Sequence, residues 1–180
     1  MLCVFIYGPA AAGKLTVATA LQASSGLRLF HNHYAVDAAL SLFDFASPGF
    51  VRLRERIWLS AFEEAAARGQ SFIFTFHPEA SVTPQFINTA AHLIESSGGR
   101  VLFVALTCSD EVIESRIDAS SRRNFRKLTS VEQYRSLRDS GAFDFLSLPR
   151  PDLSLATDAL SPEEAARQIR EFIEQRSFVL

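Results

Sequence analysis

The 180-residue sequence has little of several features that mark particular classes of protein. Its two cysteines, Cys3 and Cys108, stand in apolar stretches without metal-like spacing, which excludes a disulfide-dense scaffold and favours buried reduced thiols in a cytoplasmic protein. A formal net charge of −2 gives no basic excess for long nucleic acids or membrane surfaces. No apolar run approaches the ~20 residues of a membrane helix, and the apolar N-terminus lacks the basic start of a secretion signal. We expect neither a nucleic-acid nor a membrane partner.

Apolar residues are abundant, at 48% of the sequence, and they fall into short runs separated by helical patterns. The runs lack polar alternation, as strands covered on both faces do. This order predicts one α/β domain over residues 1–180, built on an open parallel sheet of about five strands, with ligands bound beyond the carboxyl ends of the strands. The five predicted strands are Leu2–Tyr7, Leu27–His31, Ser71–Phe76, Val101–Thr107 and Leu153–Thr157.

Helix start signals stand between these runs. Ser161 precedes Pro162 and two glutamates as a capping box, and Ser130 opens a similar pattern. Thr83 followed by Pro84 predicts a third capped start. The segment 50–68, which Gly69 ends, predicts one long amphipathic helix.

A glycine-rich segment, Gly8-Pro-Ala-Ala-Ala-Gly-Lys-Leu-Thr16, directly follows the first strand and opens the first helix. Glycines let backbone N–H groups converge on phosphate oxygens at a helix N-terminus, and a lysine adds a positive charge that reaches the β- and γ-phosphates. The strand before it and the helix after it are the context that this Walker A motif requires. The predicted nucleotide-binding residues of this phosphate loop are Gly8, Ala11, Ala12, Gly13, Lys14, Leu15 and Thr16.

The motif has Leu15 where a serine or threonine usually follows the lysine, and Thr16 comes next. In this Gly-Lys-x-Thr form the sequence resembles the adenylate-kinase and shikimate-kinase group of small P-loop kinases. The resemblance implies a three-layer P-loop NTPase fold with a helical lid at about 118–130, and it implies ATP and Mg²⁺ as cofactors. Thr16 would contact phosphate, and the metal would be held through water by Thr16 or Asp37.

Two histidines, His31 and His33, follow the second predicted strand, with Asp37 one helical turn later. In shikimate-kinase-like enzymes acidic residues usually stand here. An imidazole titrates near neutral pH, so His33 could act as general base, with Asp37 as the other candidate. The pair could instead bind substrate together with His77, which follows the third strand, or the pair could be structural. The three histidines could also hold a transition metal.

Arginines supply the other candidate contacts. The segment Gly49-Phe-Val-Arg-Leu-Arg-Glu55 resembles the Phe-Arg-x-Arg-Glu segment of shikimate kinases, which implies that Arg52 clamps an anionic acceptor.

Residues 114–127 resemble the kinase lid, where Arg116 would stack on adenine. A basic surface loop without function is the alternative. The cations expected to stabilise the transferring phosphate are Arg122, Arg123, Arg126 and Lys127. Thr157 and Asp158 stand at the end of the fifth predicted strand, where they resemble the Thr/Asp-containing loop that related kinases place against the adenine edge; a helix entry turn is the alternative.

These residues predict an ATP-dependent phosphotransferase that acts on a nucleotide and an unidentified small acceptor. The absence of an aspartate after the third strand, where Glu79 is the nearest carboxylate, favours an alternative: a nucleotide-binding module or a weak ATPase without phosphotransfer. A sulfotransferase is a third possibility, although those loops generally lack the Gly-Lys pair.

Overall fold

The computed structural model describes residues 1–117, 130–144 and 148–176. The predicted lid and its cations at 122, 123, 126 and 127 lie outside the described residues. Within the described residues the strands are β1 (Leu2–Tyr7), β2 (Arg28–His31), β3 (Phe72–Phe76), β4 (Arg100–Thr107) and β5 (Leu153–Ala156). The helices there are α1 (Lys14–Ser25), α2 (His33–Leu40), α3 (Pro48–Ala67), α4 (Phe86–Ser96), α5 (Asp110–Ile117), α6 (Val131–Asp139) and α7 (Pro162–Gln175).

The five strands form one sheet in the order β2-β3-β1-β4-β5, and every neighbouring pair is parallel. The predicted five-stranded parallel sheet is therefore confirmed, with each strand end within one residue of its predicted position. β1 lies in the centre, between β3 and β4. The chain runs from β1 to β2 at one edge of the sheet, returns to β3, and then crosses to β4 on the other side of β1. The segment after β1 consequently sits at the switch point where open α/β sheets bind ligands.

Alternate residues of β1 divide the core into two layers. Leu2, Val4 and Ile6 pack in an aliphatic cluster that includes residues of α1 and α7. Cys3, Phe5 and Tyr7 face an aromatic cluster formed with α3 and α4. Burial raises the pKa of the Cys3 thiol well above its ordinary value, which fits the expected buried reduced cysteine.

Helix α3 confirms the predicted long helix but begins two residues earlier, at Pro48. Ser47 caps it, because its hydroxyl accepts a hydrogen bond from the Phe50 N–H at 3.3 Å. The buried residues recur every fourth position, which keeps them on one face of the helix. They are Phe50, Arg54, Trp58, Phe62 and Ala66.

The prediction that Thr83 caps the next helix is wrong. α4 begins at Phe86, and its N-cap residue Gln85 makes no side-chain capping bond. The Thr83 N–H and hydroxyl donate instead to the two carboxylate oxygens of Glu55 on α3, each at 2.8 Å. In the described part of the chain, no helix has the length and hydropathy needed to cross a membrane.

Candidate active site

A cleft of about 940 Å³ opens beyond the carboxyl ends of the strands. Most of the predicted site residues that the structure describes line it: Ala11, Ala12, Gly13, Lys14, Leu15, Thr16, His31, His33, His77, Arg116 and Thr157. Gly8, Asp37, Arg52 and Asp158 do not line it. The cleft thus brings the phosphate loop and the residues that follow β2 and β3 into one space.

The phosphate loop has the backbone of an anion-binding turn. Ala11 and Gly13 adopt left-handed conformations, with φ of 59° and 86°, on either side of buried Ala12. Alternation of backbone handedness turns successive N–H groups toward one point, the arrangement called a nest. At Gly8 a Cβ atom would collide with the backbone carbonyl of Leu106, so only glycine fits there. Gly8 supports the loop without lining the cleft.

Lys14 begins α1, directly after the loop. The N-cap residue of α1, Gly13, makes no side-chain capping bond, and no acidic residue lies in the first turn of the helix. The N-terminus of this helix thus has no side-chain cap from its N-cap residue and no acidic residue in its first turn, and its dipole favours an anion there. The Lys14 Nζ donates to the carbonyl oxygens of Gly8 and Pro9, at 2.8 and 2.6 Å. These bonds hold the cation against the loop.

Arg116 and Thr157 join the loop to the far side of the cleft. The guanidinium of Arg116 donates to the Thr157 carbonyl oxygen at 2.5 Å, to its hydroxyl at 3.2 Å, and to the Ala11 carbonyl oxygen at 3.4 Å. The Thr157 hydroxyl donates to the Ala12 carbonyl oxygen at 3.0 Å. Asp158 is exposed, and hydrogen bonds from Ser109 lower the pKa of its carboxyl. Asp158 thus fixes the start of α5 from outside the cleft.

The histidines after β2 lie close together. The Nδ1 atom of buried His31 accepts a hydrogen bond from the His33 N–H at 2.9 Å, and the two rings lie 5.1 Å apart. Accepting this bond requires an unprotonated Nδ1, so the ring proton of neutral His31 is on Nε2. His33 is half-buried and lines the cleft at the first residue of α2. The pair therefore contributes imidazole groups to the same cleft as the phosphate loop.

The hypothesis of a transition-metal site at His31, His33 and His77 is wrong. No group of three metal-ligating side chains occurs within residues 1–117, 130–144 and 148–176, which include all three histidines. The Nδ1 atom of His77 lies 3.4 Å from the Gly8 carbonyl oxygen, and its ring packs against Phe143. His31 directs Nδ1 at the backbone. The rings do not converge as ligands of one metal must.

Arg54, which the sequence analysis did not select, lies behind the wall of the cleft. Its Nη1 donates to Glu79 Oε1 at 2.5 Å and to the Ser81 hydroxyl at 3.1 Å, and its Nη2 donates to the Ser81 carbonyl oxygen. The guanidinium carbon lies 4.8 and 4.9 Å from the ring centres of Phe50 and Trp58. Burial lowers the pKa of Arg54, and Glu79 opposes that shift. The period of four along α3 was the signal that could have identified it.

Arg52 and Asp37 lie apart from this wall. Arg52 is exposed on α3, and Asp37 is exposed on α2. Arg52 and Arg54 are two positions apart in the helix, about 200° of rotation, so the two side chains leave on nearly opposite sides. The position of Arg52 does not support the predicted clamp. That of Asp37 supports neither the base nor the metal role.

The loop after β3 is tied to the segment that follows α6. The Ala80 N–H donates to the Ala142 carbonyl oxygen at 3.0 Å. Two ion pairs join α6 to α5: Arg135 with Glu114, and Arg138 with Asp110. Gln133 and Leu137 of α6 reach the cleft. These contacts connect the wall around Glu79 with the helices beside Arg116.

No protein-family model and no curated protein sequence matches the chain. Solved structures do. The chain is similar to a sugar kinase from a Janibacter species (17% identity, TM-score 0.66, 97% of this chain and 95% of that one). It is also similar to the APS kinase of Mycobacterium tuberculosis in complex with AMPPNP and APS (17%, 0.65, 96% and 96%). A third is the shikimate kinase of Acinetobacter baumannii in complex with shikimate (16%, 0.62, 98% and 95%). The expected P-loop small-molecule kinase fold is therefore confirmed.

Proposed function

From that shared fold and the contents of the cleft, we propose that this protein binds ATP and transfers its γ-phosphoryl group to a hydroxyl of a small acceptor. One observation carries the proposal: the phosphate loop with Lys14 and the imidazole of His33 line the same cleft. A nucleotide whose phosphates lie on the loop would have its γ-phosphate in the same cleft as the histidines. Phosphoryl transfer needs the donor and the acceptor group in one site.

The residues divide the work as follows. Loop N–H groups, the N-terminus of α1 and Lys14 neutralise the phosphate charge, which is the main catalytic requirement of phosphoryl transfer. His33 takes the proton of the acceptor hydroxyl, whose oxygen bonds to the γ-phosphorus while the bond to ADP breaks. Arg116 and Thr157 border the nucleobase. The cations of the predicted lid, Arg122, Arg123, Arg126 and Lys127, complete the proposal as partners of the transferring phosphate.

The site near Lys14 offers the side-chain oxygen of Thr16, which suits a Mg²⁺ ion whose other ligands are phosphate oxygens and water. The Thr16 hydroxyl is exposed in the cleft on the first turn of α1. Asp37 lies outside the cleft, and Glu79 Oε1 is engaged by Arg54 and Ser81. Thr16 would therefore hold the ion, directly or through water, and the bound ion would supply positive charge to the phosphates.

A second candidate function is nucleotide binding with slow hydrolysis and no acceptor. Two observations favour it: the nearest carboxylate after β3, Glu79, is paired with Arg54, and the Lys14 ammonium is bonded to carbonyls of its own loop. An acceptor screen separates the two functions. It measures ADP formation with nucleoside monophosphates, sugar acids, shikimate and neutral aromatic or amino-sugar alcohols. Stimulation by one acceptor class supports the kinase, and unstimulated slow turnover with every class supports the module.

Lys14→Ala tests the nucleotide site by calorimetric titration with a non-hydrolysable ATP analogue. We expect about 10–100-fold weaker binding, because a charge-assisted contact to phosphate is lost. Gln22→Ala, on the exposed face of the same helix, is the control and should bind as the parent does. Unchanged affinity in Lys14→Ala would exclude the phosphate-loop assignment.

His33→Asn tests the base with the acceptor that the screen identifies. Loss of a general base predicts a fall in kcat of about 10²–10⁴-fold with little change in KM. His92→Asn is the matched control, since His92 is exposed on α4, away from the cleft. A full kcat in His33→Asn would assign the proton transfer to another group.

A further inference from the structure

The cleft has two halves that differ in charge. Among the described residues, the formally charged side chains lining it are Lys14, Arg116 and Glu79. Lys14 belongs to the phosphate loop, and Arg116 lies beside Thr157. Glu79 is on the histidine side, where buried Arg54 neutralises it from behind. The half facing the histidines, which we call the acceptor half, therefore presents no unbalanced formal charge from the described residues.

The acceptor half is also largely apolar. Val36 and Leu40 of α2, Phe45 and Ala46 of the following loop, and Trp58 of α3 line it. Its polar groups are the two imidazoles after β2, Asn32, Thr75, Ser81 and the Arg54-paired Glu79. Pockets of this kind bind a carbon skeleton by burial and orient it by a few hydrogen bonds.

The segment 34–45, of which Val36, Leu40 and Phe45 line this half, also carries exposed apolar side chains. Of the five large apolar side chains exposed in the described residues, four lie in this segment: Tyr34 (63%), Leu42 (71%), Phe43 (41%) and Phe45 (58%). Its second half is packed in place, since the Phe43 ring lies directly against Gly49 and the Phe45 ring lies 5.1 Å from that of Phe50. Exposed apolar surface in a segment that also lines a cleft indicates an apolar ligand or partner.

We infer that the acceptor is an uncharged alcohol with an apolar ring or branched hydrocarbon face, rather than a carboxylate or a phosphate ester. This rests on the proposed function, because it names the substrate class of the same site. A carboxylate here would lose its hydration without gaining a cation from the described wall, which is costly. The hydroxyl of a neutral acceptor would hydrogen-bond to the imidazole groups. Its carbon skeleton would pack against Trp58, Phe45 and the aliphatic residues of α2.

The test uses one skeleton in three charge states: para-hydroxymethylbenzoate, its methyl ester, and para-aminomethylbenzyl alcohol. Shikimate and methyl shikimate form a second pair. Trp58 is the single tryptophan of the chain and lines the acceptor half, so its fluorescence reports binding without any turnover. Titrations are made with the saturating non-hydrolysable ATP analogue at pH about 8, above the ordinary titration range of imidazole. We expect the esters to bind at least about tenfold tighter than the carboxylates.

A pair of leucine variants tests whether the wall itself sets this preference. Leu40→Lys places a cation in the acceptor half, and we expect it to abolish or reverse the preference for the ester. Leu148→Lys adds the same charge at an exposed position outside this half that does not line the cleft, and it should leave the preference intact. Retention of the ester preference in Leu40→Lys would overturn the argument from charge.

The outcomes separate this inference from the proposed function. Tighter binding of the carboxylates or of the amine, or no saturable response to either ester, overturns the neutral acceptor whatever the ADP assay gives. Preferential binding of the esters supports the neutral site even if none of the probes is phosphorylated. In that case the kinase proposal alone would fail.

Discussion

At the scale of single residues, the contrast between Arg52 and Arg54 shows which parts of a site a local motif can identify. The resemblance to shikimate kinases selects Arg52 from the letters around it, whereas Arg54 is the arginine that the helix buries, at 0% exposed. The choice depends on which face of α3 meets the sheet, and that face is set by Trp58 and Phe62 packing on distant strands. The seven letters of the motif do not contain this information, which lies in the period of four along the whole helix.

The buried position of Arg54 predicts that its loss is costly. In Arg54→Met, Glu79 loses its cation while its side chain remains only 18% exposed, so we expect the free energy of unfolding to fall by about 3 kcal/mol. Arg52→Met, at an exposed position on the same helix, should change it by less than about 0.5 kcal/mol. Urea unfolding measures both. Adding Glu79→Gln to Arg54→Met should recover part of the loss, and no recovery would contradict a role for the charge.

At the scale of elements, helix starts were predictable where the capping residue has no competing partner. Ser130 and Ser161 cap α6 and α7 as predicted, through bonds of 3.2 and 3.1 Å from Gln133 and Glu164 N–H groups. Thr83 has the same local signal, but it bonds to Glu55, 28 residues away. A contact at this sequence separation outweighs the local preference, and the sequence window around Thr83 does not contain it.

The cap of α7 gives a prediction for this scale. Ser161→Ala removes the acceptor for the Glu164 N–H, and we expect a loss of about 1 kcal/mol in the free energy of unfolding. Ser161→Asp retains a capping acceptor beside the helix N-terminus and should remain within a few tenths of the parent value, about 0.3 kcal/mol. Chemical denaturation of the three proteins makes the comparison. Equal stability of the alanine and parent proteins would show that the cap is dispensable.

At the scale of the whole molecule, the sheet and the phosphate loop were predictable because their signals are local: apolar runs, and a glycine-rich turn between a strand and a helix. The acceptor half was not, because its wall joins the residues after β2, Trp58 of α3 and the loop after β3. The two histidines predicted for it line the cleft, whereas Asp37 and Arg52 do not, because their orientation depends on helix phase. The parts of the site made by one segment could thus be predicted, and those made by several could not.

The aromatic layer predicts how the molecule unfolds. Phe74 is fully buried on β3, with its ring centre 5.2 Å from that of Phe5 and 4.9 Å from that of Phe62. Phe74→Ala should lower the free energy of unfolding by about 3–5 kcal/mol, and exposed Leu42→Ala by less than about 0.5 kcal/mol. Denaturation is followed by Trp58 fluorescence and by circular dichroism. Coincident transitions are expected for a single domain, and separate ones would contradict it.

The hydrogen bond between the Ala80 N–H and the Ala142 carbonyl oxygen has a thermodynamic consequence for the two halves of the cleft. The bond joins the segment after α6 to the loop that carries Glu79, and Ala80 and Ala142 both line the cleft, so its two sides are bonded to each other. Any coupling free energy that this contact transmits between the nucleotide and the acceptor acts equally on the affinity of both, because such coupling is reciprocal.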